Sequence, residues 1–154
     1  VKEILKQFGD RVEVIMVCGN NTELRTKLMK NFGGHSNVMA LGFTDKVAML
    51  MDACDVLFTK PGGLSSTEAA AKHIPIVHTS PIPGCETCNA LFFHYHGMSY
   101  ATTDIPEQVR AAGRLCFDES CRDAMISAQA ANINTQTCRD ITGLLLDGEN
   151  NENQ

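Results

Sequence analysis

Lysine and arginine nowhere gather into a stripe in these 154 residues, and the formal net charge is −5. Neutralising phosphates takes clustered cations, so the sequence is not that of a nucleic-acid groove or a basic membrane-binding patch. Long apolar runs are missing too. Stretches such as the three leucines at 144–146 fall far short of the roughly 20 residues a bilayer-spanning helix needs. No signal-peptide pattern opens the chain, and no internal repeat or low-complexity linker divides it. The seven cysteines are odd in number and accompany enough apolar sequence for a core. They therefore read as reduced thiols, most of them small core hydrophobes, in a cytoplasmic setting rather than as a disulfide framework.

What is present is a 44% hydrophobic composition, enough for one compact domain. "VEVIMVCG" from Val12 is a β-branched run ending at Gly19, the pattern of a strand buried on both faces. Thr22 can cap a following helix that carries Leu24, Leu28 and Phe32 on one side. A second strand begins at Val38, and Thr44 or Asp45 can cap a helix with Val47, Leu50, Met51 and Cys54. "VLFTK" from Val56 is a third strand, which Pro61 ends by forcing Lys60 out of helical conformation. The spacing then predicts a helix over 65–73, a strand from Ile74, a helix over 86–96 and a fifth strand at Met98. Pro106 suits a first helical turn, Ser120 can cap another helix, and a last one covers 137–146.

Repeated strand–helix–strand units imply right-handed crossovers and a parallel sheet covered on both faces, a Rossmann-like three-layer α/β sandwich. Ligands collect outside the carboxyl ends of such strands. The loops after Cys18, Phe43, Lys60 and Thr79 are therefore the ones to examine. The domain is expected to span 1–147, with 148–154 a disordered tail. Val1 is not an initiator methionine, and Ile4, Leu5 and Phe8 already keep helical spacing, so the chain is expected to begin inside a longer protein.

Within "TKPGGLSSTEAA", two glycines stand between strand and helix. Glycines there let backbone N–H groups approach a ligand, and a helix start offers unpaired donors with partial positive charge, which suits a phosphate. The stretch is neither a Walker loop nor a GxGxxG fingerprint. Two ligand-free alternatives stand beside the phosphate: a tight turn at Gly62 and Gly63, and a capping box spelled by Ser65 and Glu68. Lys60 can neutralise diphosphate charge or anchor the turn to a carboxylate.

The segments "VCGNN", "LGFTDKV", "DVLFTKPGGLSSTEAAA" and "PIVHTSPIPGCETCNALFF" occur in the order found in the C-terminal, donor-binding domain of glycosyltransferase family 28. The chain resembles the processive diacylglycerol glucosyltransferases and monogalactosyldiacylglycerol synthases of that family over about 12–116. The lipid II N-acetylglucosaminyltransferase is a more distant relative with the same plan. The resemblance implies one half of a GT-B hexosyltransferase, which carries a sugar from a UDP-hexose to a diacylglycerol-type lipid in glycolipid biosynthesis. It assigns Gly62, Gly63, Leu64 and Ser65 to the diphosphate, with Gly19 and Asn20 closing from the first loop and Glu68 accepting both ribose hydroxyls. Phe43 and Thr44 lie where relatives read uracil. Gly84, Cys85, Glu86 and Asn89 form the implied sugar reader. Relatives carry glutamine where this chain has Cys85, so their hexose preference does not carry over, and glucose and galactose both stay open.

Neither metal nor organic cofactor is implied, since backbone donors and a helix dipole can stabilise departing UDP. Acceptor activation is expected in the N-terminal domain of the parent enzyme, so no residue here is assigned as catalytic. The lipid acceptor and the cytoplasmic membrane face are expected to meet the full-length, peripheral parent, and this chain alone to bind nucleotide without turnover. The alternatives are a module that binds a nucleotide or phosphate and catalyses nothing, and a relative of the lipid II N-acetylglucosaminyltransferase. For Cys85 and Cys88, disulfide exchange or half of a zinc site ranks below a packed helix start. His94 and His96 point to different helix faces, His35 and His73 lie near turns, and His78 is expected to be a satisfied strand-end histidine.

Overall fold

The computed structural model describes residues 1–151. α1 (Lys2–Phe8) and a 3-10 turn (Gly9–Arg11) lead to β1 (Val14–Val17), α2 (Thr22–Phe32), β2 (Val38–Leu41) and α3 (Val47–Asp52). β3 (Leu57–Thr59), α4 (Gly63–Ala71), β4 (Ile76–His78), α5 (Cys85–Tyr95) and β5 (Tyr100–Ala101) follow, and α6 (Ile105–Phe117), α7 (Glu119–Asn132) and α8 (Thr137–Asn151) close the chain.

Every strand pairing is parallel, as the alternation of elements requires. β4 is central in β3–β4–β5, and its three residues are fully buried. Successive side chains of a strand point to opposite faces, and β4 shows the result. Ile76 joins Met51, Ala69, Ala70, Phe93 and Met98 from the α3, α4 and α5 side. Val77 joins Ala111, Ala112, Leu115 and Met125 from α6 and α7. Helices cover both faces, which makes this part a three-layer Rossmann-like sandwich.

One expectation is corrected here. The strands form two ladders, β1–β2 and β3–β4–β5, rather than one continuous sheet. β1 is also not buried on both faces: Ile15 is 46% exposed, Val17 48%, and Met39, the register partner of Ile15, 53%. An unbroken apolar run records hydrophobicity but not which face is covered, so the two cases read alike in sequence.

Three helix starts also differ from expectation. Asn21, not Thr22, caps α2, its Oδ1 accepting the Leu24 N–H at 2.9 Å. Asp118, not Ser120, caps α7 by accepting the Cys121 N–H at 3.1 Å. The Thr44 hydroxyl accepts the Lys46 N–H at 3.1 Å, and α3 begins after Lys46 with no side-chain cap. A cap must lie just outside the helix with its oxygen facing the third N–H, and neighbouring short polar residues compete for that post. α8 runs on to Asn151, past the boundary expected at residue 147, and residues 152–154 lie outside the described ones.

Candidate donor site

The register sets Thr59, His78 and Ala101 level with one another, so the loops after β3, β4 and β5 leave along one sheet edge. At the first of these, Gly62 is extended (φ −75°, ψ 147°) and Gly63 opens α4. A Cβ built on either glycine would meet nothing within 4 Å. Neither backbone conformation nor packing therefore demands glycine, and what its absence of side chain provides is access to the backbone.

The turn itself is tight, with the Gly62 N–H donating to the Lys60 carbonyl at 2.7 Å. The capping box is overturned. α4 starts two residues before Ser65, which sits inside the helix, and the start has no side-chain cap. The first helical bond runs from the Ser66 N–H to the Gly62 carbonyl at 3.2 Å. Among the described residues the N–H groups of Gly63, Leu64 and Ser65 have no acceptor, so three donors stand at the positive end of a nine-residue helix. Leu64 is 89% exposed above them. Glu68 is exposed one turn further on. Its carboxylate and the ammonium of Lys60 make no ion pair among the described residues, so the anchoring role for Lys60 is not seen.

The loop between β4 and α5 is joined to this turn. Asn89 on α5 donates from Nδ2 to the Pro61 carbonyl at 3.0 Å, a bracing contact the sequence did not disclose. Gly84 has φ 109° and ψ −126°, a conformation open to glycine, and it sets the direction of α5. Glu86 Oε2 accepts the Ile82 N–H at 2.6 Å and so ties down its own loop. Cys85 and Cys88 are exposed free thiols.

The other predicted contacts form a second pair of loops. Gly19 takes φ 55° after β1, and a Cβ on Gly42 would lie 3.9 Å from the Gly19 carbonyl oxygen, so the loops after β1 and β2 run side by side. Asn20 is exposed beside Gly19, and Phe43, 76% exposed, stands next to Thr44. The structure thus groups the predicted residues as 19–20 with 43–44, and 60–68 with 84–89.

Below α4 lies a polar cluster that sequence reasoning resolved only in part. His78 is fully buried, with Nε2 2.9 Å from Ser66 Oγ, Nδ1 3.0 Å from Ser99 Oγ and the Phe93 ring edge-on at 5.6 Å. It is the satisfied histidine expected, and burial lowers its pKa from 6.5 to about 4. Its partners are 12 and 21 residues away, and the one trace in sequence is a histidine within an apolar strand. Burial first, and then Asp55, raises the thiols of Cys54 and Cys116, which keeps them protonated. Among the described residues no group of three or more His, Cys, Asp or Glu could hold a metal ion, and no helix is long and apolar enough to cross a membrane.

Over 94% of its length the chain is similar to processive diacylglycerol beta-glucosyltransferases, 31% identical to that of Staphylococcus carnosus (strain TM300) and 33% to that of Staphylococcus aureus (strain JH9). It spans 38% of each of these relatives. Among solved structures it is similar to Anabaena HepE in complex with UDP and glucose, with a TM-score of 0.63 at 23% identity over 95% of this chain and 43% of that one. It is similar also to MurG of Acinetobacter baumannii, with a TM-score of 0.61 at 14% identity over 95% of this chain and 52% of that one. The fold is that of one Rossmann-like half of a GT-B glycosyltransferase. No protein-family model matches the chain.

Proposed function

From a chain that resembles diacylglycerol glucosyltransferases along nearly all its length, we propose that it holds the nucleotide-sugar donor, a UDP-hexose, for transfer to a diacylglycerol-type lipid. The observation that carries this is the trio of N–H groups at Gly63, Leu64 and Ser65, without acceptors among the described residues, standing one turn before an exposed Glu68 that makes no ion pair among them. A diphosphate accepts from the three amides, and the helix dipole stabilises the charge that grows as UDP departs. Lys60, which pairs with no carboxylate among the described residues, adds a cation beside it. The two oxygens of Glu68 can accept from the two ribose hydroxyls. The loops at 19–20 and 43–44 receive the phosphate flank and the uracil, and the loop at 84–89 the hexose. No step of this reading calls on a metal. The acceptor and the membrane face belong to the remainder of a protein of the relatives' length, so the chain alone should retain nucleotide and release no glycolipid.

Calorimetric titration of UDP, ADP and GDP tests this directly. UDP should bind tightest, and Glu68→Gln should weaken it about tenfold or more, the worth of a lost charge-assisted hydrogen bond. Equal affinity for ADP, or an unchanged UDP affinity in Glu68→Gln, would overturn the site. Glycolipid formed by the chain alone from UDP-glucose or UDP-galactose and diacylglycerol would overturn the division of labour.

A further inference from the structure

A neutral imidazole has one donor and one acceptor nitrogen, and in His78 both are used, one serine hydroxyl receiving a hydrogen bond and the other giving one. Ser66 and His78 are fully buried and Ser99 nearly so, which leaves this cluster no water to fall back on. An apolar side chain at position 78 could fill the same space against Phe93. It could not fix the rotation of the helix above it. Ser66 is the fourth residue of α4, and its own N–H makes the helix's first hydrogen bond, to Gly62. The side chain of Ser66 is thus held from β4 while its backbone holds the glycine turn. Asn89 secures the same turn from α5 at the Pro61 carbonyl.

We propose that His78 is a positioning residue for the donor diphosphate: through Ser66 it fixes the height and rotation of the first turn of α4, and with them the direction in which the N–H groups of Gly63, Leu64 and Ser65 are offered. This rests on the donor-binding function argued above. The role bears most on the phosphates, because Ser66 adjoins the three N–H groups; Glu68 shares the helix and would turn with it, while uracil is met by the loops after β1 and β2. Loss of the cluster should therefore weaken UDP more than uridine and reduce the advantage of the one over the other.

The test is a titration of UDP and of uridine into the wild-type chain, Ser66→Ala and His78→Leu, with Tm recorded for each. In the variants the ratio of uridine Kd to UDP Kd should fall about fivefold or more, the size of one hydrogen bond, because UDP loses more than uridine does. The backbone amide resonances of residues 63–65 should shift in the same variants. Should His78→Leu fail to fold, Ser66→Ala, which removes a single oxygen, decides. A lowered Tm with the ratio intact would make His78 a packing residue and end the proposal. A wild-type chain that binds UDP no better than uridine would instead sink the donor site, and this role with it.

Discussion

Burial leaves His78 neutral in the folded chain at pH values where an exposed histidine is charged, and its nearest partners, Ser66, Ser99 and Phe93, carry no charge that would offset protonation. The sign of the resulting pH dependence follows from linkage. Above pH 6.5 the imidazole is neutral in folded and unfolded chains alike, and stability does not depend on it. Between 6.5 and about 4 the unfolded chain takes up a proton that the folded one refuses, so stability falls with pH. The loss approaches roughly 3 kcal/mol at the lower end. Urea unfolding at pH 7, 6, 5 and 4 should show this fall in the wild-type chain and a shallower one in His78→Leu. Parallel slopes would mean that other groups govern acid stability. Cys54 and Cys116 contribute nothing in this window, because burial pushes both thiols up and away from it.

At the scale of elements, the docking of α1 on α6 depends on one missing side chain. A Cβ on Gly113 would come within 2.5 Å of the Phe8 ring, which also lies against Phe117. Glycine within a helix ordinarily costs about 1 kcal/mol relative to alanine, so Gly113→Ala would stabilise an isolated α6. Here overpacking opposes that gain, and a net destabilisation of about 1–2 kcal/mol is expected in thermal unfolding. Phe8→Leu should relieve much of it, so the double variant should be less destabilised than the two single changes added together. A more stable Gly113→Ala chain would show that α1 does not pack there. This contact was not legible in sequence, although Phe8 was marked as a helix-spaced apolar residue, because a glycine in a helix announces neither its neighbour nor its purpose. The strands were legible. Their β-branched runs end at glycine or proline, as at Gly19 and Pro61, and a period of two or a continuous run survives any tertiary context. Helix starts were less so: Asn21 and Thr22 are both good caps, and the choice falls to backbone geometry. At the glycine turn the strand-to-helix junction was legible from Pro61 and the glycines, while the capping box fell because α4 begins earlier than Ser65 and Glu68 imply.

The whole molecule divides by burial along the same line as its two ladders. Both apolar clusters surround β3–β4–β5, whereas Ala40 is the one buried hydrophobic residue of β1–β2, whose outer face carries half-exposed Ile15, Val17 and Met39. Side-chain ties, such as Asn37 Nδ2 to the Gly9 and Val12 carbonyls and Arg25 Nε to the Ala40 carbonyl, hold β1–β2 without burying much surface. Sequence could not foretell this, since "VEVIMVCG" is as apolar as any strand that follows it. Local opening should therefore expose β1–β2 before β4. In native-state hydrogen exchange the amides of Val14, Met16 and Cys18, which face β2, should exchange roughly tenfold to a hundredfold faster than that of Val77. Uniform protection would mean that the two ladders open as one. The proposed donor spans both: its phosphates lie at α4, its uracil at the loops after β1 and β2. An opening of β1–β2 would then release UDP, so the nucleotide at about a hundred times its Kd should slow exchange there by about a hundredfold. Val77, which exchanges through global unfolding, should slow whether or not the uracil loops touch the ligand. The amides that join β1 to β2 therefore decide the matter: unchanged exchange at Val14 and Met16 beside a slowed Val77 would confine the nucleotide to the glycine turn and remove Gly19, Asn20, Phe43 and Thr44 from the site.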